Sequence, residues 1–408
     1  MTRRQALLLF VCLVTTIPAI AADVAGLGSA RGQVPAPVTE RPCFGAAARN
    51  PISRCVNPSL QRTVFPTPAD ALLEPNAPCQ PTGRASLLYP CSFGARRSTA
   101  LDAAALIGDS HASHWRAAVD VVAEARGWRA ISITRSGCPF IKARVVIRKA
   151  QVATCRRWNR ELLAWLGRHH EVATVFLSHR ANAEYVHARD TSNFKTAVRG
   201  HMALWRVLPA TVRNIFVIRD PPRNSTAAAD CVRRTYAHRQ RSAVLCARAR
   251  RKALHPDPAV TAARRLRSRR VHVLDMTPFF CDRDHCYPVV GGALVHKDSN
   301  HITAIFAKSL GRFMVRMVDR YVQRPARPPL DALLPDERAL ADCLLSERSL
   351  AQQAGGWAKV GSEHLVRAMN CRAQLEQRVA QILAAGLSGT FNRTNRYTAI
   401  QRVLDTSR

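Results

Sequence analysis

Short apolar runs alternate with longer amphipathic stretches over residues 101–324. The apolar runs are AALIG (104–108), RAISIT (129–134), ATVFLS (173–178), NIFVIR (214–219) and VHVLDM (271–276). They are rich in β-branched residues and bounded by polar or turn-forming ones, as buried strands are. The longer stretches between them are SHWRAAVDVVAEARG (113–127), VATCRRWNRELLAWLGRHH (152–170) and FKTAVRGHMALWRVL (194–208). In the second, Trp158, Leu162, Leu163, Trp165 and Leu166 form one apolar stripe at helical spacing. This alternation predicts an α/β domain, a central parallel sheet with helices on both faces. In such sheets functional groups lie beyond the C-terminal ends of the strands.

The flanks read differently. Residues 1–22 carry two arginines, an apolar run from Ala6 to Ile20, and small residues at Ala19, Ala21 and Ala22, the layout of a secretory signal peptide. The run falls short of the about 20 apolar residues that span a bilayer, and an uncleaved anchor is the alternative. Residues 23–41 are Gly-, Pro- and Ala-rich and read as a linker, and residues 42–100 as a loop-rich extension stapled by disulfides. A Pro-rich break, RPARPPLD, precedes a helical C-terminal appendage assigned to residues 325–408.

Thirteen cysteines support export, because disulfides persist in oxidising compartments. Cys12 lies in the leader. The other twelve fall into close couples: Cys43/Cys55, Cys79/Cys91, Cys138/Cys155, Cys231/Cys246, Cys281/Cys286 and Cys343/Cys371. Sequential pairing is expected, although sequence alone leaves connectivity open. Zinc at Cys281, His285 and Cys286 is the competing reading, and a structural zinc site usually has two tightly spaced ligand pairs.

The net charge of +33 implies attraction to anionic surfaces such as acidic glycans or lipid headgroups. The positive residues are mostly Arg and are spread along the chain, with no dense basic block interleaved with aromatics. A nucleic-acid groove is therefore not expected, and the leader and cysteines argue against one.

The candidate chemistry starts at the end of the first strand, in LIGDSHASHW (106–115). Gly108 permits a tight turn, and Ser110 is expected in the first turn of the following helix, where free backbone N–H groups face any developing negative charge. A serine hydroxyl needs a base, and the base needs an orienting carboxylate. Both occur after the last strand, in HKDSNHITAIF, where Asp298 and His301 are three residues apart. On a helix they would share a face, so that Asp298 could hold the imidazole Nδ1 and leave Nε2 for Ser110. Each fragment alone also reads as a helix cap, through Asp109 or Ser110 in the first and through Asp298 or Ser299, beside a surface histidine, in the second. Together they lie at one edge of the predicted sheet.

These blocks resemble the SGNH/GDSL hydrolases, and most closely the exported SGNH domain fused to bacterial membrane acyltransferases that O-acylate surface polysaccharides. The resemblance covers roughly residues 42–320 and includes ITRSGCPF (133–140), CRRWN (155–159), VFLSHRANAEY (175–185), FVIRDPPRNSTAAADC (216–231), the C-x4-C segment (281–286) and DSNHITAIFAKSLG (298–311). It implies a flavodoxin-like three-layer fold over residues 101–324, a Ser110–His301–Asp298 triad, and an oxyanion donor at Gly137. The usual Gly-x-Asn-Asp block is replaced by LSHRANAEY, so Asn182 and Arg180 are the substitute donors, with His111 and Asp109 as positioning residues.

The expected activity is O-acyl transfer or ester hydrolysis on an envelope or extracellular glycan, without metal or diffusible cofactor. The fused relatives also carry a membrane domain, so a separate membrane acyltransferase is the expected acyl donor. A non-catalytic, cationic glycan-binding protein on a degenerate fold is the rival reading. His169, His170 and His179 read as surface or core histidines, and Trp158, Trp165 and Trp205 as core.

Overall fold

Strand residues alternate between two apolar layers. Ala104 and Leu106 face one core with Phe176 and Phe216, while Ala105 and Ile107 face a second with Val175, Leu177 and Val217. Both faces are covered, so the strands are apolar throughout although their side chains point alternately up and down. The computed structural model describes residues 37–322, apart from 85, 98, 99 and 101, and residues 333–404, apart from 385–395, 398 and 402. The expected leader, nearly all of the linker and the Pro-rich break at 324–331 lie outside the described residues.

The main sheet has seven strands: β1 (Gln80–Pro81), β2 (Cys91–Gly94), β3 (Asp102–Gly108), β4 (Trp128–Thr134), β5 (Val172–Ser178), β6 (Asn214–Ile218) and β7 (Val271–Leu274). Their order is β1-β2-β4-β3-β5-β6-β7. The five strands from β4 to β7 run parallel, whereas β1 and β2 add an antiparallel margin. The sheet is thus mostly rather than wholly parallel. The extension carries no apolar run long enough to announce these two short strands.

Helices α1 (Ser110–His114) and α2 (Arg116–Arg126) follow β3; α3 (Lys149–Arg168), α4 (Asn193–Arg206), α5 (Pro258–Leu266) and α6 (Ala304–Val318) come later. The amphipathic stretch after β3 is therefore two helices meeting at Trp115, with the first starting at Ser110. Helices α2 and α6 pack together over the Leu106 face. Helices α3, α4 and α5 cover the Ile107 face, where Trp158, Trp165 and Trp205 are buried as expected.

The extension shares the first core through Phe44, Ala46, Ala47 and Leu60. The helices α7 (Pro335–Gln353) and α8 (Ser362–Ala384) instead bury a cluster of their own, around Leu344, Leu375 and Ile400. All six cysteine couples are disulfides in sequential pairing, Cys281–Cys286 included.

The parallel order places the topological switch between β3 and β5, where chain connections leave in opposite directions and a crevice opens beyond the strand ends. Gly108 pairs with Thr134 on one side and Ser178 on the other, so the segments after these residues emerge side by side.

Candidate active site

Gly108 has φ +151°, and a Cβ there would lie 1.8 Å from the Ser178 carbonyl oxygen. Only glycine fits so close an approach with that backbone. The turn it permits puts Asp109 at the cap of α1: its Oδ1 accepts from the His111 N–H at 2.8 Å and its Oδ2 from the Arg180 N–H at 3.0 Å. Asp109 is thus a helix cap, and it also ties α1 to the loop after β5. It takes up the His111 amide, which is then not free to face an anion.

Ser110 Oγ lies 2.9 Å from His301 Nε2, and His301 Nδ1 lies 2.6 Å from Asp298 Oδ2. The three residues are brought together across 191 positions of sequence. The local geometry differs from expectation. Asp298 and His301 sit in a loop, and α6 starts only at Ala304, capped by Thr303. The His296–Ile302 bridge and the Lys297 N–H to His301 carbonyl bond close that loop. Asp298 Oδ1 accepts from the Asn300 and His301 N–H groups at 2.8 and 2.7 Å, fixing carboxylate and imidazole on one small turn. Burial raises the Asp298 carboxyl's affinity for a proton, but the His301 imidazole and these two amides outweigh it. The group is held well below the usual carboxylate range.

The other expected residues fall at the same sheet edge. Gly137 lies in the turn after β4, closed by the Cys138 N–H to the Arg135 carbonyl at 3.0 Å, with φ +67° and nothing within 4 Å of where a Cβ would stand. Arg180 Nε donates to Asn182 Oδ1 at 2.8 Å, so these two form one unit after β5.

His111 is buried, with Nδ1 2.5 Å from Asp220 Oδ1. Its ring centroid is 5.1 Å from that of His301 and 5.0 Å from that of His114. Burial favours the neutral His111 ring, yet Asp220 opposes it and the net shift is upward. His114 is fully enclosed; burial, then the neighbouring imidazoles, pushes it well below its ordinary value. His179 is a core residue, stacked on His201 at 4.3 Å.

Of three further supports, sequence reasoning placed Asp220 at a strand end on the functional edge and passed over Asp257 and Glu74. Asp220 Oδ2 accepts from the Ala181 N–H at 2.9 Å, and Asp257 accepts from the Asp220 N–H at 2.9 Å. The position of Asp220 after β6, and the Asp257-Pro258 cap signature, were the available signals. Glu74 of the extension accepts from the Ala304 and Ile305 N–H groups at the start of α6, and Lys297 Nζ donates to its carbonyl. Nothing local marks Glu74 for that role.

A doubly covered, mostly parallel sheet, with a serine at its switch point facing an imidazole–carboxylate pair, defines an α/β protein whose geometry can carry acyl chemistry on a serine hydroxyl. The family model described as SGNH domain (fused to AT3 domains) matches residues 78–316, and the chain belongs to that family. The family is one of acyl-transferring and ester-cleaving enzymes. No protein of curated function matches the chain in sequence. Among solved structures, the chain is similar to the periplasmic domain of a Salmonella ser. Paratyphi A lipopolysaccharide acetyltransferase, with TM-score 0.38 and 11% identity, covering 52% of this chain and 84% of that one.

Proposed function

We propose that the chain is an exported serine O-acyltransferase or esterase acting on O-acyl groups, chiefly O-acetyl, of a cell-envelope or extracellular polysaccharide. The observation that carries this reading is the line from Asp298 Oδ2 through His301 to Ser110 Oγ, with contacts of 2.6 and 2.9 Å. His301 Nε2 takes the Ser110 proton as Oγ bonds to the acyl carbonyl carbon. The tetrahedral intermediate collapses with cleavage of the ester C–O bond, and His301 returns the proton to the departing alcohol. The acyl-enzyme then meets a sugar hydroxyl or water, deprotonated by the same imidazole, and Ser110 leaves with the proton.

Gly137 and the Arg180–Asn182 unit are the oxyanion donors of this reading, with Asp109 and His111 as positioning residues. Loss of one oxyanion donor typically slows such reactions by about 100- to 1000-fold. A site without the usual Asn block would hydrolyse slowly and leave the acyl-enzyme for a sugar hydroxyl, which favours transfer. The acyl donor would be a separate membrane acyltransferase. The net charge of +33 would draw the protein to anionic envelope surfaces.

The test is turnover of p-nitrophenyl acetate with and without acceptor oligosaccharides, for the unaltered protein and Ser110→Ala, alongside fluorophosphonate labelling. Turnover and labelling that vanish in the variant support the nucleophile. An acetylated sugar identifies a transferase, and acetate alone an esterase. A folded protein that neither labels nor turns over overturns the catalytic reading in favour of a glycan-binding role.

A further inference from the structure

A cleft of about 1190 Å³ lies along the β1–β2 margin of the sheet. Five arginines line it: Arg129 of β4, Arg96 and Arg97 after β2, Arg84 between β1 and β2, and Arg168 at the end of α3. Arg129 stands near the start of β4, whereas Thr134, the partner of Gly108, ends it. At a rise of roughly 3.3 Å per residue the two are about 16 Å apart. Arg97, Arg129 and Arg168 thus gather toward the end of the sheet away from Ser110. The Cys79–Cys91 disulfide pins β1 to β2 and fixes that wall of the cleft.

Arg97, Arg129 and Arg168 make no side-chain hydrogen bond or ion pair among the described residues. Arg97 and Arg168 are exposed, and Arg129 is half-buried. Burial, and then the neighbouring Arg97 guanidinium, lower the proton affinity of Arg129 by more than Glu171 restores. Three carboxylates also line the cleft, Asp120, Glu124 and Glu171. Lys308 of α6, outside the lining, acts on the first two. Positive charge is therefore in excess, and an entering anion meets guanidinium groups that are not already paired.

The space exceeds the roughly 300–1,000 Å³ of small-ligand pockets and suits a length of polymer. A flat bilayer surface would not reach into such a recess. The lining also lacks an open aromatic platform for stacked bases. Trp165 is 5% exposed with its ring stacked on His169 at 3.9 Å, and Phe93 is buried.

We infer that this cleft is a second, anion-binding site that holds a stretch of acidic polysaccharide, its carboxylate or phosphate groups paired with Arg97, Arg129 and Arg168. The inference rests on the function proposed above in taking the enzyme's own polymer as the occupant, and it adds that this polymer is anionic. A chain tethered there raises the local concentration of its acyl-bearing residues at Ser110.

The test is binding to the Ser110→Ala protein, read by calorimetry. Polygalacturonate and phosphomannan are the acidic probes, with dextran, phosphatidylglycerol vesicles and single-stranded DNA as comparisons. At least one acidic polymer is expected to bind, and dextran is not. Arg97→Gln with Arg168→Gln, at exposed positions where folding is not at risk, should weaken that binding by about tenfold or more. Arg264→Gln with Arg265→Gln removes the same charge from exposed positions on α5 and should change it by less than about twofold. Equal losses in the two pairs would reduce the binding to net charge and overturn the site. Failure of both acidic polymers to bind overturns it as well, as does tighter binding of dextran, DNA or vesicles. Because no turnover is read, acidic-polymer binding that responds to the cleft pair stands even where Ser110 proves inert, and the catalytic reading then falls alone.

Discussion

His111 Nδ1 and Asp220 Oδ1 lie 2.5 Å apart with side chains only 2% and 5% exposed, directly beside the candidate nucleophile and 5.1 Å, ring to ring, from His301. A buried carboxylate also tied to the Ala181 amide couples α1 to the ends of β5 and β6. Removing one partner of such a pair leaves the other uncompensated. Asp220→Ala is therefore expected to lose about 3–5 kcal/mol of stability in urea unfolding. His111's proton affinity is raised in the folded state, so the pair's contribution is complete below its unfolded value of 6.5 and declines as pH rises through the folded value. Unfolding midpoints recorded from pH 5 to 9 should show that decline in the unaltered protein and lose it in Asp220→Ala.

Asp298→Asn keeps the shape of the loop and removes the charge that orients His301. Ester turnover is expected to fall by on the order of 10³- to 10⁴-fold, with the unfolding midpoint little changed. Because the folded carboxyl is held below its usual range, its stabilisation is present above the unfolded value of 3.8 and is lost as pH falls. A pH–rate profile of the unaltered enzyme should thus show no inflection from Asp298 at neutral or mildly acidic pH. A profile that keeps its amplitude in Asp298→Asn would remove this residue from the triad.

The Cys138–Cys155 disulfide, with partners 17 residues apart, ties the turn that carries Gly137 to α3. Asn159 of α3 reinforces the same turn, donating to the Pro139 carbonyl and accepting from the Ile141 N–H. Replacing both cysteines with serine is expected to cost about 3 kcal/mol. If Gly137 is an oxyanion donor, kcat should fall further than the folded fraction does, with KM for small esters less affected. Activity that tracks the folded fraction alone would assign the disulfide to stability only.

Gly108→Ala places a methyl group against the Ser178 carbonyl in a backbone conformation that L side chains rarely adopt. Steric overlap and backbone strain together predict a loss of about 3 kcal/mol or more, read by chemical unfolding. An alanine variant of normal stability would show that β3 and β5 approach each other less closely than this geometry requires.

The succession of parallel strands, both apolar faces and the cysteine couples could be read from the chain because each depends on local period or short separation. Ser110, Asp298 and His301 were readable as candidates because they come after strands, and parallel strands deliver their outgoing segments to one edge. The chain order did not reveal that Asp298 and His301 meet on a loop turn, since a three-residue spacing suits a turn as well as a helix. Arg180 and Asn182 looked like separate donors, yet they bind each other. The His111–Asp220 pair, the Asp257 support and the Glu74 brace join segments 37 to 230 residues apart. Local patterns of charge and hydrophobicity set which segments become strands and helices. Only tertiary packing decides which strand ends become neighbours, and the ion pairs and orphaned nitrogens around Ser110 arise from that adjacency.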